Sequence, residues 1–292
     1  MVFESLDSAG VYTALLRVIG RCVDLANEVL CVPQMDTNGE SISPATRDIH
    51  LEHVSFAYES RKIIEDITLD IKENTTTAIV GPSGGGKTTL TSLISRFWDA
   101  QEGEVTLGGR NVKDYSFDSL MENFSFVFQR VYLFEDTIAN NIRFGRPEAS
   151  MEKVIDAAKK AACHDFIMSL PGGYNTVISE GGATLSGGEK QRIAIARAIM
   201  KDAPVIILDE ATANVDPENE KELTDAIENL TKHKTIIMIA HRLKTVRNAD
   251  QIIVVDKGKI VQKGTDEELA NQEGIYKNFV DVRKQAVSWK IA

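Results

Sequence analysis

The sequence predicts an α/β fold with a mixed, mainly parallel central sheet, an antiparallel β subdomain and a helical insert. Three observations carry this expectation. "TTTAIV" (75–80), "VIIL" (205–208), "TIIMIA" (235–240) and "QIIVV" (251–255) are short and wholly apolar, as strands buried on both faces of a parallel sheet are. "DIHLEHVSF" and "KIIEDITLDI" instead alternate apolar with polar residues, the pattern of strands with one wet face. Between about residues 134 and 200 the pattern turns helical, most clearly in "MEKVIDAAKKAACHDFIMSL".

Ahead of this core, residues 9–30 place Val11, Leu15, Val18, Ile19, Cys22, Leu25, Ala26, Val29 and Leu30 at helical spacing, with Arg17, Arg21, Asp24 and Glu28 between them. The stretch predicts an amphipathic helix within residues 1–33, too charged to span lipid. Pro33 ends it, and residues 34–47 read as a polar linker before a domain at 48–285 and a tail at 286–292. The pattern alone fits an ordinary helix packed on its own domain equally well.

The 292 residues suffice for one large domain with additions. A formal charge of −10 argues against a surface built to neutralise nucleic-acid phosphates. Cys22, Cys31 and Cys163 show neither metal spacing nor a disulfide framework, which suits a reducing compartment. No stretch approaches the ~20 apolar residues that cross a bilayer, and the N-terminus lacks a signal-peptide layout. The expectation is a cytosolic chain that meets a membrane through a partner.

The strand at 75–80 runs into "GPSGGGKTT", Gly81, Pro82, Ser83, Gly84, Gly85, Gly86, Lys87, Thr88 and Thr89, and then into a helical pattern. Glycines here let backbone N–H groups wrap phosphates. Lys87 reaches the β- and γ-phosphates, and the Thr88 hydroxyl ligates Mg²⁺. The strand–loop–helix setting is what separates this motif from a glycine-rich turn, and it makes the core a P-loop NTPase core. "VIILDE" ends in Asp209 and Glu210 at the carboxyl end of a buried strand, where α/β sheets bind ligands. Asp209 is expected to hold Mg²⁺ through water, and Glu210 to deprotonate the attacking water. His241 follows the apolar strand "TIIMIA" and falls where a γ-phosphate would lie.

"LSGGEKQRIAIARAIM" (185–200) opens a helix with two glycines. Ser186 and Glu189 form the spacing of a capping box, with Leu185 as a staple. Gly187 and Gly188 each cost roughly 0.5–1 kcal/mol relative to alanine, so they need another reason. Bare N–H groups at the positive end of a helix suit a phosphate. A single phosphate cluster thus has two claimants in one chain.

With the phosphate loop, acidic pair, histidine and "LSGGE" in this order, the chain resembles the nucleotide-binding domain of ATP-binding cassette (ABC) transporters, from about residue 48 to 285. The resemblance implies that Tyr58 in "FAYES" stacks on adenine, and that Gln129 in "FVFQR" touches Mg²⁺ and the water. It also implies that Asp216 lies in a loop facing a second cassette, a role compatible with capping the helix that begins at Pro217. Two cassettes, identical or different, are expected to pair head to tail. Leu185, Ser186, Gly187, Gly188 and Glu189 of one then close over ATP held by the other, which resolves the two claimants.

"SRFWDAQEGEVTLGGR", "LFEDTIANNIRFG" and "IAHRLKTVRNADQIIVVDKGKIVQKGT" resemble the exporter branch. This implies a transmembrane domain as partner, a place at the cytoplasmic face of the membrane, and a helix at 9–30 that extends the last membrane helix. Cargo selection would lie in those membrane helices. Ser179, Glu180, Gly181 and Gly182 depart from the family's usual Gly-Glu-Arg-Gly, at a coupling contact rather than at the hydrolytic machinery. "NVD" likewise stands for Ser-Ala-Leu-Asp. Two rivals are a free-standing importer ATPase and a soluble ABC-type ATPase of DNA maintenance. The exporter phrases oppose the first. Compact helical sequence between Lys87 and Ser186, in place of a long coiled coil, opposes the second.

Overall fold

The computed structural model describes residues 2–31, 35–182, 184–209, 217–240 and 246–288. The chain divides into two units, Met1–Asp36 and Thr37–Ala292. The first is built on one helix, α1 (Val2–Leu30), which starts well before the clear periodicity at residue 9. Among the described residues no helix is long and apolar enough to cross a membrane.

The second unit contains a four-stranded and a six-stranded sheet. β1 (Ile49–Tyr58) and β2 (Arg61–Ile71) pair antiparallel, with Tyr58 opposite Arg61 across a tight turn. β4 (Glu102–Leu107) and β5 (Arg110–Asn111) extend this sheet in the order β2-β1-β4-β5. Its alternating apolar residues face inward, as the sequence pattern predicts. The larger sheet contains β3 (Thr76–Val80), β6 (Phe124–Val127), β9 (Val205–Asp209), β10 (Thr235–Ile239), β11 (Gln251–Asp256) and β12 (Lys259–Gly264). Its order is β12-β11-β3-β10-β9-β6, and every pairing is parallel except β11 with β12.

Alternate residues of these strands feed two cores, which explains their unbroken apolar runs. Ala78, Val80, Ile206, Leu208, Ile236 and Val254 pack with the helical portion. Ile79, Val205, Ile207, Ile237, Ile253 and Val255 pack with the antiparallel sheet, with α2 (Lys87–Ile94) and with Leu120 of α3 (Phe117–Met121). Helices α4 (Ile138–Arg143), α5 (Met151–Lys160), α6 (His164–Ser169) and α7 (Gly187–Lys201) occupy the stretch read as helical. A two-stranded pair, β7 (Asp136–Thr137) with β8 (Val177–Ile178), brackets α4, α5 and α6. Helix α8 (Pro217–Thr231) follows β9.

Candidate functional site

Parallel strands end at a common edge, and their register here is explicit. Ile239 of β10 lies level with Ile79 of β3 and with Asp209 of β9. Val127 of β6 pairs with Leu208, one residue before Asp209. The phosphate loop, Asp209 and the Phe128–Gln129 segment therefore leave the same edge of the sheet. The next residues along β9 and β10 are Glu210 and then Ala240 and His241. Glu210, Asp216 and His241 lie outside the described residues, so the roles expected of them rest on the sequence.

The phosphate loop joins β3 to α2 with a backbone that only glycine tolerates at several points. Gly81, Gly84 and Gly86 have φ of 141°, 76° and 108°, and Gly86 occupies the N-cap position of α2. A Cβ at Gly81 would sit 2.0 Å from the Val255 carbonyl oxygen, and one at Gly85 2.8 Å from the same atom. Pro82, Ser83 and Gly84 are exposed, whereas Gly85 and Gly86 are buried. The Lys87 ammonium donates to the carbonyl oxygens of Gly81 and Pro82, both at 2.9 Å, and its side chain folds back over the loop. Thr88 is exposed in the first turn of α2, and Thr89 is buried beneath it.

Tyr58 ends β1 beside a cavity of about 630 Å³ lined by Phe56, Tyr58, Arg61, Ile63, Trp98 and Gln101 among others. Its ring meets Phe56 at 4.9 Å and Trp98 at 5.3 Å, both nearly perpendicular. Gln101 fixes this corner by pairing its amide with both the N–H and the C=O of Ala57, each at 2.9 Å. Ile63 joins the cavity to the phosphate loop, because its carbonyl lies 3.1 Å from where a Gly86 Cβ would stand. Sequence reasoning found Tyr58 only through the resemblance and missed Trp98, Ile63 and Gln101. The aromatic run in "RFW" was the available signal for Trp98.

At the start of α7 the capping box forms as its spacing predicts. The Ser186 hydroxyl accepts from the Glu189 N–H at 3.3 Å, and the Ser186 N–H donates to the Glu189 carboxylate at 2.7 Å. Ser186 and Gly187 are exposed, while Gly188 is buried and Leu185 half-buried. Helix α7 also reaches the Gln129 segment. The Gln191 amide donates to the Phe128 carbonyl at 3.5 Å, and Arg197 donates to the Tyr132 and Asn141 carbonyls at 3.2 and 3.0 Å. Burial holds the Arg197 guanidinium below its ordinary pKa. The divergent Ser179–Gly182 segment docks nearby, with the Gly181 N–H donating to the Leu133 carbonyl at 3.0 Å.

Phe128, Tyr132, Phe134 and Phe144 are exposed beside Gln129, with Arg197 lying over the rings of Phe134 and Phe144. The rings of Tyr132, Phe134 and Phe144 run together, with centroids 5.5 and 4.7 Å apart. Thr88, Asp209 and Gln129 offer oxygen donors only, which suits a hard cation that keeps waters and phosphate oxygens in its shell.

A family profile for ABC transporters matches residues 64–213. The ATP-dependent lipid A-core flippase of Desulfotalea psychrophila is 48% identical over 246 residues, covering 84% of this chain and 43% of the flippase. The protein of the same name from Haemophilus influenzae is 43% identical over 254 residues, again covering 43% of its length. A solved bacterial Atm1-family ABC exporter with ATP bound superposes with a TM-score of 0.82 at 35% identity, covering 90% of this chain and 47% of that one. The chain thus spans less than half the length of these relatives. The phosphate loop seated between β10 and β11, the capped glycine pair at α7 and these matches agree, and the chain belongs to the ABC transporter family as its ATP-binding domain.

Proposed function

We propose that this domain hydrolyses ATP to drive an ABC exporter, in a head-to-tail pair of cassettes at the cytoplasmic face of a membrane. The observation that carries the reading is the exposed start of α7. The Ser186 hydroxyl takes the Glu189 N–H and the Glu189 carboxylate takes the Ser186 N–H, while Gly187 puts no side chain over the exposed first turn. A phosphate from a second cassette fits that opening. The relatives' names, an ATP-dependent flippase and an exporter with ATP bound, favour this over an importer or a soluble ATPase.

In this reading adenine lies against Tyr58 and the phosphates thread the Gly81–Gly86 loop. Lys87 exchanges its two loop carbonyls for β- and γ-phosphate oxygens. Thr88, Asp209 and Gln129 would hold Mg²⁺, which when bound would neutralise charge on the β- and γ-phosphates. Glu210 accepts a proton from water as its oxygen attacks the γ-phosphorus, and the bond to the β-phosphate oxygen breaks to release ADP and phosphate. His241 stands by the γ-phosphate, and Asp216 faces the second cassette. The exposed aromatic rings near Gln129 are the surface offered here to the transmembrane partner, since clustered exposed apolar groups mark interfaces.

The test is Glu210→Gln, which keeps size and hydrogen bonding but accepts no proton. ATP binding should persist while turnover falls by roughly 10²–10⁴, the usual worth of a general base. Size-exclusion chromatography should show a dimer with Mg-ATP and none with ADP, and Ser186→Arg in that background should abolish it. A variant that binds ATP normally yet stays monomeric refutes the shared site. Wild-type turnover removes Glu210 from the mechanism.

A further inference from the structure

Strands β11 and β12 are joined by Lys257 and Gly258, with φ of 48° and 79°. Two positive φ values in succession make the mirror-image turn that matches the twist of a hairpin. This turn does more than reverse the chain. The Gly258 N–H donates to the Gly85 carbonyl of the phosphate loop at 2.9 Å, and the Gly258 carbonyl accepts from the Glu65 N–H of β2, also at 2.9 Å. A Cβ on Gly258 would stand 2.4 Å from the Ile63 carbonyl oxygen. Val255 of β11 seats the loop as well, through the close approach of Gly81 and Gly85 to its carbonyl already described. Lys259 adds an ion pair to Glu65, Nζ to Oε1 3.4 Å.

One backbone unit therefore touches both ends of the nucleotide site. Its N–H holds the phosphate loop, and its carbonyl holds the strand whose Ile63 lines the cavity beside Tyr58. We propose that Gly258 is a positioning residue for ATP, fixing the phosphate loop against β2 so that the base cavity and the phosphate-binding N–H groups sit at one spacing. Any side chain at this position pushes the turn off Ile63 and drags Gly85 with it. The proposal rests on ATP binding at the Gly81–Thr89 loop.

The structure supplies its own control. The β4–β5 turn also runs through two glycines in the left-handed region, Gly108 and Gly109, and a Cβ at Gly109 (φ 76°) would meet nothing within 4 Å. Gly109→Ala carries comparable backbone strain with no route to the loop.

ATP affinity of the full chain is measured by titration calorimetry well below the unfolding temperature of each variant, with inorganic tripolyphosphate as a second probe. Gly258→Ala should weaken both ligands by roughly tenfold to a hundredfold, the scale of one lost hydrogen bond to a charged group. Gly109→Ala should leave both at the wild-type level. Loss of stability alone moves the melting temperature and not these affinities, so folded Gly258→Ala with wild-type affinity overturns the proposal. Should Gly258→Ala fail to fold, hydrogen exchange of the wild type decides. Mg-ATP should slow exchange of the Gly258 and Glu65 amides together with the loop, and unchanged exchange at both overturns the proposal. A wild-type chain that binds no ATP would instead overturn the nucleotide reading of the whole site, and this role with it.

Discussion

Replacing Tyr58 by alanine tests how the base end of the site contributes to affinity. The Tyr58 ring is held by near-perpendicular contacts to Phe56 and Trp98, and 37% of the residue remains open beside the cavity. Stacking of a base on an aromatic ring is worth about 1–3 kcal/mol. At about 1.4 kcal/mol per tenfold, Tyr58→Ala should weaken ATP roughly 5- to 150-fold. Tyr58→Phe keeps the ring and should stay near wild type. The alanine variant also loses two ring contacts, each about 0.5–1.5 kcal/mol beyond burial, so its melting temperature should fall too. Calorimetric titration well below that temperature separates the effects, and tripolyphosphate sharpens the result because it has no base to stack. Its affinity should be unchanged in Tyr58→Ala. Wild-type ATP affinity in that variant would refute the stacking role. An equal loss for tripolyphosphate would show that the substitution had deformed the loop instead.

Two other outcomes follow from the same geometry. Ser186→Ala removes the side-chain half of the α7 capping box and should lower unfolding stability by about 1 kcal/mol in urea denaturation; an unchanged midpoint and slope would contradict the cap. Cys163 is fully buried, with its thiol pushed up to about 12, whereas Cys22 and Cys31 are exposed. A thiol reagent should therefore titrate two groups in the native chain and the third only after unfolding, and three fast groups would refute the burial of Cys163.

The parts of the site legible in the sequence are those whose physics is local. Positive φ at Gly81, Gly84 and Gly86 demands glycine whatever surrounds the loop, so the motif announces itself. The Ser186–Glu189 cap is set by a three-residue spacing. The buried strands show as apolar runs because both their faces are covered. What escaped depends on distant partners. Trp98 and Gln101 reach Tyr58 and Ala57 from more than 35 residues along the chain, and neither carries a periodic signal. The pair β7–β8 has two residues per strand, too short to alternate. The role of Gly258 was hidden for the opposite reason, since "DKGK" reads as a sufficient hairpin turn in itself.

The placement of β3 has a consequence for how the protein is made. Its two neighbours are β10 and β11, which lie more than 150 residues later in the chain. At roughly 5–20 residues per second, a ribosome needs on the order of ten seconds or more to deliver them after the phosphate loop has emerged. Through that interval Val80 and Ile79 have no sheet to join, and Gly81 has no Val255 carbonyl to rest on. Nucleotide cannot stabilise a nascent domain early, because the loop that grips it is assembled by some of the last strands synthesised. Chains truncated before residue 251 should therefore emerge as apolar, ATP-blind fragments, the natural substrates of a chaperone.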